Sequence, residues 1–348
     1  MMMKWLKELC ALHGASGNEH PVKAFIRSKL ADRSDAVYED GIGNLVLLRK
    51  GAGKSAKRLM LLAHMDEVGL MVTNIEEDGR LAVMPVGGVD PRVLLGKPVV
   101  IGEGEIPGFI GYQAIHLQKN TLTVPPEWKD IRVEAGFTKK EQAAEKIPIG
   151  TYIHFHTEYE EFENRIVAKA LDDRGGCSIL MDLFEDLPAV DYDIYFGFVV
   201  QEEVGLRGSG AAAKLVCPDV ALVFETTTAG DNPELSPARW STHLDQGVAL
   251  SYLQGGYALD SRIFELLVDT ASRNRIPYQC KGRTVGGTDA TRLAKTMYGI
   301  PSGGLNIPGR YIHAPVSMIS KSDYQSAVDL ARRVIAEGKI VQIMEGSL

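Results

Sequence analysis

The sequence contains few cysteines, and their spacing argues against two common kinds of protein. Only four occur in 348 residues, at Cys10, Cys177, Cys217 and Cys280, and no two of them form a Cys-x-x-Cys pair. Disulfide scaffolds and cysteine-ligated zinc sites are both recognised by characteristic cysteine spacings. We therefore expect reduced and mostly packed thiols, as is typical of a cytoplasmic protein.

Long apolar runs and an excess of basic charge are also missing. No apolar run approaches the ~18 residues that a membrane span needs. Residues 1–14 predict an amphipathic helix containing Glu8 rather than a signal peptide. Asp and Glu number 45 against 38 Lys and Arg, which gives a net charge of −7. This balance argues against nucleic acid or an anionic membrane as a partner.

The apolar runs that are present predict the fold class. Hydrophobic residues make up 45% of the chain, which is enough for a sizeable core. Runs typical of strands buried on both faces occur at Arg58–Ala63, Asp193–Val200 and Asp219–Phe224. Helical patterns lie between and after them, at Asp173–Leu187, Arg207–Val216, Ser261–Asn274, Thr288–Tyr298 and Ser322–Glu337. This alternation predicts an α/β fold with a mainly parallel sheet and helices on both faces.

One stretch interrupts the alternation of strands and helices. From about Gly69 to about Asn164 the sequence is rich in Gly, Val and Pro and shows no convincing long helix. Short strand-like runs such as Leu81–Val86 and Thr151–Phe155 occur there instead. We predict that residues 69–164 form a small inserted β domain, and that residues 1–68 and 165–348 form the catalytic α/β domain.

Acidic residues and histidines follow the predicted strands or open a predicted helix. They are His64, Asp66, Asp172, Glu202, Glu203, Glu225 and His313. Singly, each has an ordinary explanation, such as a structural histidine, a helix N-cap or a solvated strand end. In an open α/β sheet, however, the carboxyl ends of the strands form the ligand site. Several carboxylates converging there repel one another unless cations lie between them, so the set predicts a metal centre.

The charges of the candidate ligands balance for two divalent ions. Asp172, Glu203 and Glu225 supply −3, His64 and His313 are neutral ligands, and a bridging hydroxide would complete the balance. This donor set suits zinc best, with cobalt or manganese as alternatives. Two such ions ~3.5–4 Å apart share a carboxylate, for which Asp172 is the candidate, and activate a water molecule.

Two acids remain for other roles. Asp66 lies two residues after His64, where it can accept a hydrogen bond from the imidazole and fix its tautomer. Glu202 adjoins the candidate ligand Glu203, and adjacent side chains on an extended segment point apart. Glu202 is therefore the candidate general base that takes the proton from the attacking water.

Taken together, these motifs resemble the glutamyl aminopeptidase and tetrahedral aminopeptidase family of dinuclear metallopeptidases, whose relatives are sometimes labelled endoglucanase or cellulase M. The motifs are AHMDEVG (Ala63–Gly69), AKALDDRGG (Ala168–Gly176), QEEVGLRGS (Gln201–Ser209), FETTTAGD (Phe224–Asp231), GGTDA (Gly286–Ala290) and RYIHAPVSMI (Arg310–Ile319). The resemblance implies an α/β catalytic domain with a β-barrel-like domain inserted after the first metal motif. It also implies a tetrahedral dodecamer, with the insert serving assembly, and short peptides as substrates.

The resemblance assigns the same roles to the candidate residues. It makes His64, Glu203 and His313 metal ligands, Asp172 the bridging ligand, Glu202 the general base and Asp66 the orienting acid. It also implies a cis peptide between Asp172 and Asp173. Many relatives have aspartate where this chain has Glu225, which bears on metal preference. The implied activity is removal of N-terminal residues by a hydroxide activated between two metal ions.

Other functions fit the sequence less well. Glycoside hydrolysis needs two facing carboxylates, whereas Glu202 and Glu203 are adjacent, and aromatic residues for stacking sugars are only 7% of the chain. A related dinuclear deacylase or carboxypeptidase usually carries its accessory domain elsewhere. A non-catalytic metal-binding protein would lack a ligand or the base. Substrate preference is open, with the pocket walls expected near Gly286–Ala290 and Ser302–Pro308.

Overall fold

A large β-sheet and a separate small barrel organise the protein. The computed structural model describes residues 3–53, 55–112, 114, 116, 125–232, 235–236, 239–282 and 286–346. The strands of the large sheet are β1 (Ala36–Glu39), β2 (Leu45–Arg49), β3 (Arg58–His64), β10 (Glu160–Phe162), β11 (Arg165–Ala168), β12 (Asp193–Val199), β13 (Val220–Thr228), β14 (Val248–Ser251), β17 (Tyr278–Cys280), β18 (Ser302–Arg310) and β19 (Ser317–Ser320). The barrel strands are β4 (Gly69–Ile75), β5 (Leu81–Val86), β6 (Pro98–Ile101), β7 (Ile106–Ile110), β8 (Arg132–Glu134) and β9 (Tyr152–Phe155).

The helices and a short hairpin complete the described elements. The helices are α1 (Leu6–Ala11), α2 (His20–Leu30), α3 (Lys140–Lys146), α4 (Leu171–Asp186), α5 (Arg207–Val216), α6 (Ser261–Asn274), α7 (Asp289–Leu293), α8 (Lys321–Glu337) and α9 (Ile340–Met344). The hairpin pairs β15 (Leu253–Gln254) with β16 (Tyr257–Ala258). None of the helices seen in the described ranges combines the length and apolar character that crossing a bilayer requires.

The middle of the large sheet is parallel, as the alternation of strands and helices predicts. Its strands run in the order β1-β2-β12-β3-β13-β18-β19-β11-β10, with β14 and then β17 attached beside β18. The four central strands β12, β3, β13 and β18 pair in parallel, and antiparallel strands flank them. These central strands carry apolar residues on both faces, which is what burial under helices on either side requires.

Helices cover both faces of the sheet, and β3 shows how. Leu59 and Leu61 point into a core shared with α4 and α8. Met60 and Leu62 point into a second core that includes residues of α5 and α7. Alternate side chains of one strand thus pack against helices on opposite faces. The predicted α/β class with helices on both faces is confirmed.

The stretch without long helices forms a closed barrel with its own core. The barrel strands follow the order β4-β5-β8-β7-β6-β9. Leu70, Val99 and Ile153 are among the apolar side chains that fill it, and none of these three is more than 2% exposed. The chain enters the barrel directly after β3 and returns to the large sheet at β10 and β11. The inserted β-barrel of the predicted fold is therefore present, although the limits 69–164 stay a prediction.

One helix is shorter than its sequence pattern predicts. The helical pattern runs over Thr288–Tyr298, but α7 ends at Leu293. The Thr296 hydroxyl donates to the Arg292 carbonyl, and Met297 and then Gly299 adopt left-handed conformations with φ of 58° and 89°. The chain reverses there and leads into β18, which the apolar pattern alone does not reveal.

Candidate metal centre

Parallel strands bring four of the predicted site residues to one edge of the sheet. His64 is the last residue of β3 and is in register with Val199 of β12. Glu202 and Glu203 lie three and four residues after the end of β12 at Val199, beside the end of β3. Glu225 lies in β13, the parallel neighbour of β3 on its other side. The site thus forms where the carboxyl ends of parallel strands meet.

The other two candidate ligands come from loops. Asp172 lies at the start of α4, where Asp172 and Asp173 depart from helical geometry and the peptide bond between them is cis, as the resemblance implies. His313 follows β18 and has a left-handed backbone with φ of 59°. Its Nδ1 lies 3.0 Å from the carbonyl oxygen of Gly88, which follows β5 of the barrel. His313 therefore contacts the segment that follows barrel strand β5.

Asp172 occupies the centre of the candidate ligands. Its Oδ1 lies 3.4 Å from Nε2 of His64, and its Oδ2 lies 3.5 Å from Nε2 of His313. The same Nε2 of His313 lies 3.4 Å from Oε2 of Glu203. Ligand atoms of Asp172, Glu203 and His313 all lie within 4.8 Å of one another. Asp172 thus offers a separate oxygen to each side, which is the arrangement a bridging carboxylate needs.

Asp66 is buried beneath this group and fixes the residues around it. It is fully buried and accepts hydrogen bonds from the Ser16 hydroxyl at 2.6 Å and from the backbone N–H groups of Glu202 and Glu203 at 3.0 and 3.1 Å. Its Oδ1 lies 3.4 Å from Nδ1 of His64. The closer partner of His64 Nδ1 is the backbone carbonyl of Asp66, at 3.1 Å. Asp66 therefore holds the imidazole through its carbonyl and the segment that carries the two glutamates through its carboxylate.

Two of the candidate ligands each have a buried carboxylate oxygen with no hydrogen-bond donor among the residues that the structure describes. These oxygens are Oδ1 of Asp172, whose 3.4 Å approach to His64 lacks hydrogen-bond geometry, and Oε2 of Glu225. Glu225 is 9% exposed and lies outside the tight group formed by Asp172, Glu203 and His313. Buried carboxylate oxygens without donors are costly, and a cation beside them removes that cost. The donor set of imidazole nitrogens and carboxylate oxygens fits divalent transition metals.

The electrostatics of the site point to a shortage of positive charge. Burial, followed by the nearby carboxylates of Asp289 and Glu203, raises the pKa of Glu202 well above its ordinary value. Burial and the proximity of Asp172 raise the pKa of Glu203 to about 7. Burial together with Glu202 and Asp172 likewise raises the pKa of Glu225. Carboxyl groups that resist ionisation in this way lie where a cation would stabilise their charged forms.

The two histidines supply part of that missing charge when they are protonated. Burial acts to lower the pKa of His313, but Asp172 and Glu203 outweigh it and raise the pKa to about 9. The pKa of His64 is raised in the same way, because Asp172 and Asp66 outweigh its burial. Asp172 itself has its pKa lowered to about 2, since its pairing with His313 and His64 exceeds the effect of burial.

A buried cluster of charges that the sequence does not predict supports the site. The Lys169 ammonium lies 2.8 and 2.9 Å from the two carboxylate oxygens of Glu67, and Arg174 reaches the same carboxylate at 3.4 Å. The Gly14 N–H also donates to Glu67, at 3.1 Å. The cluster joins the loop after β3 to the start of α4. Glu67 lies inside the AHMDEVG motif, and Lys169 and Arg174 lie inside AKALDDRGG, but no spacing rule marks them as partners.

Two further buried charges lie near the GGTDA segment. Asp289 is 1% exposed and is one of the carboxylates that raise the pKa of Glu202, after burial itself. Lys281 is 4% exposed and lies directly after β17. The sequence predicts pocket walls in this region but does not single out either residue. A lone lysine five residues before GGTDA carries no recognisable signal.

Comparison with protein families and with curated proteins gives matches along most of the chain. A model of the M42 glutamyl aminopeptidase family matches residues 43–330. A putative aminopeptidase from Acetivibrio thermocellus is 35% identical over 329 residues, covering 94% of this chain and 97% of the relative. A lysyl aminopeptidase from Pyrococcus furiosus is 30% identical, covering 97% and 98%. A glutamyl aminopeptidase from Lactococcus lactis is 30% identical, covering 98% and 97%.

Solved structures match the whole arrangement. An aminopeptidase from the archaeon Desulfurococcus kamchatkensis superposes with a TM-score of 0.91 at 37% identity, covering 97% of this chain and 94% of that one. A TET aminopeptidase from a marine-sediment thaumarchaeon gives a TM-score of 0.92 at 30% identity, covering 99% and 98%. The TET1 peptidase of Pyrococcus horikoshii, described as assembling into a tetrahedron or a large octahedral shell, gives 0.85 at 27% identity, covering 96% and 99%.

Proposed function

Because the chain belongs to the M42 glutamyl aminopeptidase family, we propose that it removes N-terminal residues from short peptides at a centre of two divalent metal ions. The observation that carries this proposal is the position of Asp172. Its two oxygens face His64 on one side and His313 on the other, at 3.4 and 3.5 Å. A carboxylate that presents one oxygen to each of two imidazoles is placed as the shared ligand of a dinuclear centre would be.

The residues proposed to hold the ions are the five that the sequence predicts. They are His64, Asp172, Glu203, Glu225 and His313. The oxygens of Asp172 and Glu225 without hydrogen-bond donors support this assignment. Zinc suits the donor set best, and cobalt or manganese would also fit. When bound, two such ions polarise a carbonyl group and lower the pKa of a water molecule between them.

Glu202 is proposed as the general base. The carboxylate of its neighbour Glu203 lies among the candidate ligand atoms, beside His313. The Asp66 carboxylate accepts hydrogen bonds from the backbone N–H groups of both glutamates. The Glu202 carboxylate takes a proton from the attacking water as the water oxygen bonds to the scissile carbonyl carbon. As the C–N bond breaks, Glu202 passes that proton to the leaving amine. Asp66 fixes the geometry by accepting hydrogen bonds, and it does not exchange a proton with substrate.

The replacement Glu202→Gln tests the base assignment. The variant retains the shape of the side chain but cannot accept the proton, so we expect turnover to fall by about 10²–10⁴-fold. Metal content, measured by mass spectrometry, should stay at the level of the parent protein. The matched control is Glu265→Gln on the exposed face of α6.

Aminoacyl p-nitroanilides and their N-acetylated forms are the assay substrates. We expect cleavage of the free-amine forms alone, since an aminopeptidase needs the α-amino group. Cleavage of the acetylated forms at a similar rate would instead favour the related deacylase or endopeptidase chemistry. An active Glu202→Gln variant with full metal content would overturn the role of Glu202 without overturning the family assignment.

The proposal also covers the oligomeric state, the domain limits and the cellular location. We propose a homo-oligomer, with residues 69–164 as the assembly domain, residues 1–68 and 165–348 as the catalytic domain, and a tetrahedral dodecamer as the final form. The likeness to the P. horikoshii peptidase, which is described as forming a tetrahedron, supports this. We also propose a cytoplasmic location, which the four unpaired cysteines support. Light scattering of the purified protein measures the number of subunits directly.

A further inference from the structure

A pocket of ≈ 360 Å³ lies between the start of the chain and the barrel. One wall comes from residues 11–21, which span the end of α1, the loop after it and the start of α2. The other wall comes from the turn between β6 and β7 and from β9. The polar side chains that line the pocket are His13, Asn18, His20, Glu103, Glu105 and His154.

The pocket is separate from the proposed metal centre. His154 and Phe155 are neighbours on β9, so their side chains project to opposite faces of the strand. Phe155 lines the cavity that contains Asp172 and Glu203, whereas His154 lines the pocket beside the start of the chain. A ligand in this pocket would therefore lie on the other face of β9 from the peptide bond that is cleaved.

Three stacked rings form part of the pocket wall. Tyr152 and His154 lie two residues apart on β9, and their ring centroids are 6.4 Å apart with an angle of 16° between the planes. The ring of His13 stacks on His154, with centroids 4.8 Å apart and an angle of 15°. The stack thus joins the loop after α1 to the barrel, and its two imidazoles both line the pocket.

The two imidazoles have unused hydrogen-bonding capacity. Nδ1 of His13 and Nδ1 of His154 are buried and have no partner among the residues that the structure describes. His154 is 2% exposed, and burial lowers the pKa of both rings, that of His154 to about 4. Both imidazoles are therefore neutral near pH 7, and a neutral imidazole has one nitrogen that accepts a hydrogen bond. A ligand that donates hydrogen bonds would satisfy them.

The rim of the pocket carries negative charge. Glu103 and Glu105 follow one another closely in the turn between β6 and β7, and both are exposed. Within the described part of the chain, neither carboxylate forms a salt bridge. Glu105 is close enough to His13 to oppose the effect of burial on its pKa. Lys169 also acts on His13, but its charge is offset by Glu67, whose carboxylate lies 2.8 Å away.

These features favour an organic cation over other small ligands. Two glutamates would repel an anion, and neutral imidazoles would not compensate. Among the residues described, the atoms close enough to share one metal ion belong to Asp172, Glu203 and His313, so this pocket holds no preformed metal site. A guanidinium group is a planar cation that stacks on rings and carries five N–H donors. It matches both the stack and the acceptors of the pocket.

We propose that this pocket binds a guanidinium group, supplied by free arginine or by an arginine side chain of a peptide. The planar cation would lie against the stacked rings and donate hydrogen bonds to the imidazoles and to the carboxylates of Glu103 and Glu105. An ammonium group has the charge but not the plane, so lysine should bind more weakly. The bound group would contact both walls of the pocket and thereby stabilise the contact between the start of the chain and the barrel.

The test compares blocked ligands that differ in charge but not in shape. Acetyl-arginine methylamide and acetyl-citrulline methylamide have nearly the same size, and neither carries the α-amino group of an aminopeptidase substrate. In titration calorimetry of the metal-loaded protein, we expect the arginine form to bind at least about 10-fold more tightly, because charge-assisted hydrogen bonds are the stronger ones. Acetyl-lysine methylamide should bind more weakly than the arginine form. The arginine form should also raise Tm, and the citrulline form should raise it less.

Variants of the rim and of the stack locate the binding. Glu103→Gln with Glu105→Gln should bring the arginine form to within a few fold of the citrulline form. His13→Phe keeps a ring for stacking but removes the nitrogens, so it should weaken the binding of both forms. The matched control is Glu141→Gln with Glu145→Gln on α3, which removes the same charge from two other exposed positions and should change nothing. The Tm of each variant without ligand shows that it is folded.

Two further ligands distinguish the sources of the guanidinium group. Free L-arginine has an α-amino group that the metal centre can hold, so its share in the pocket is the affinity lost in the rim double variant. Binding of free arginine as tight as that of the blocked form identifies the amino acid as sufficient. Tighter binding of an acetylated Gly-Arg-Gly amide identifies an arginine within a peptide.

Several results would overturn the proposal. Equal affinity for the arginine and citrulline forms, or no detectable binding of either, excludes a guanidinium site. A preference for arginine that survives in the rim double variant places the binding elsewhere on the molecule. Binding of zinc beyond two ions per chain, lost in His13→Phe, would assign the pocket to a metal instead. These measurements do not depend on turnover, so a failure of the proposed aminopeptidase function would leave their outcome unaffected.

Discussion

The replacement Glu67→Gln should destabilise the protein strongly, although Glu67 is not proposed to touch metal or substrate. The Glu67 carboxylate, 2% exposed, is the anion for Lys169 and Arg174, which are 2% and 0% exposed. The variant keeps the side-chain shape but leaves two buried cations without a counter-charge. Breaking a buried pair from one side costs about 3–5 kcal/mol. We therefore expect the free energy of unfolding to fall by about that amount.

The expected change in melting temperature follows from the size of the chain. An unfolding entropy of about 2.1 cal/mol/K per residue gives about 0.7 kcal/mol/K over this chain. The predicted loss of stability then corresponds to a fall of about 4–7 °C in Tm. Differential scanning calorimetry at pH 7 measures it, with the exposed Glu265→Gln as the matched control.

A double variant tests whether the cause is the unpaired charge. Removing Lys169 together with Glu67, as in Glu67→Gln with Lys169→Met, eliminates one of the orphaned cations. Its destabilisation should be smaller than the sum of the two single variants, because the partners act as a unit. A Glu67→Gln variant within 1 °C of the parent protein, or strictly additive effects, would refute the reasoning.

Two further predictions concern metal and pH. Chelation should abolish activity and lower Tm, because Asp172, Glu203 and Glu225 are left crowded without cations. Zinc at 100 times its Kd would restore about 2.7 kcal/mol; an unchanged Tm after verified metal removal would contradict the proposed centre. Burial, with smaller contributions from His13 and Lys169, lowers the pKa of His154 to about 4. Below pH 6.5 His154 binds a proton in the unfolded state but stays neutral in the folded state. The free energy of unfolding therefore falls by about 3 kcal/mol between pH 6.5 and pH 4. The Tm of His154→Gln should fall less steeply over that range, and parallel pH profiles would show that His154 is not responsible.

The fold was predictable where the sequence signal is local and repeated. The runs Arg58–Ala63 and Asp193–Val200 are apolar on both faces, and a parallel sheet covered by helices buries such strands fully. An inserted β domain was predictable from the short strand-like runs without a long helix, whereas its closure into a barrel was implied only by the resemblance to the family. The end of α7 was not, since the turn around Met297 depends on where β18 must begin.

The residues of the candidate site likewise divide into those that the sequence predicts and those that it does not. His64, Glu203 and Glu225 could be named from sequence because a parallel sheet brings the ends of its strands together whatever the order of those strands. Lys281 could not, because its place beside the site depends on the order β13-β18-β14-β17, in which two of the pairings are parallel and one is antiparallel. No local pattern encodes that order. The sequence therefore predicts site residues that follow strand ends more readily than residues such as Lys281, whose position is set by tertiary pairing alone.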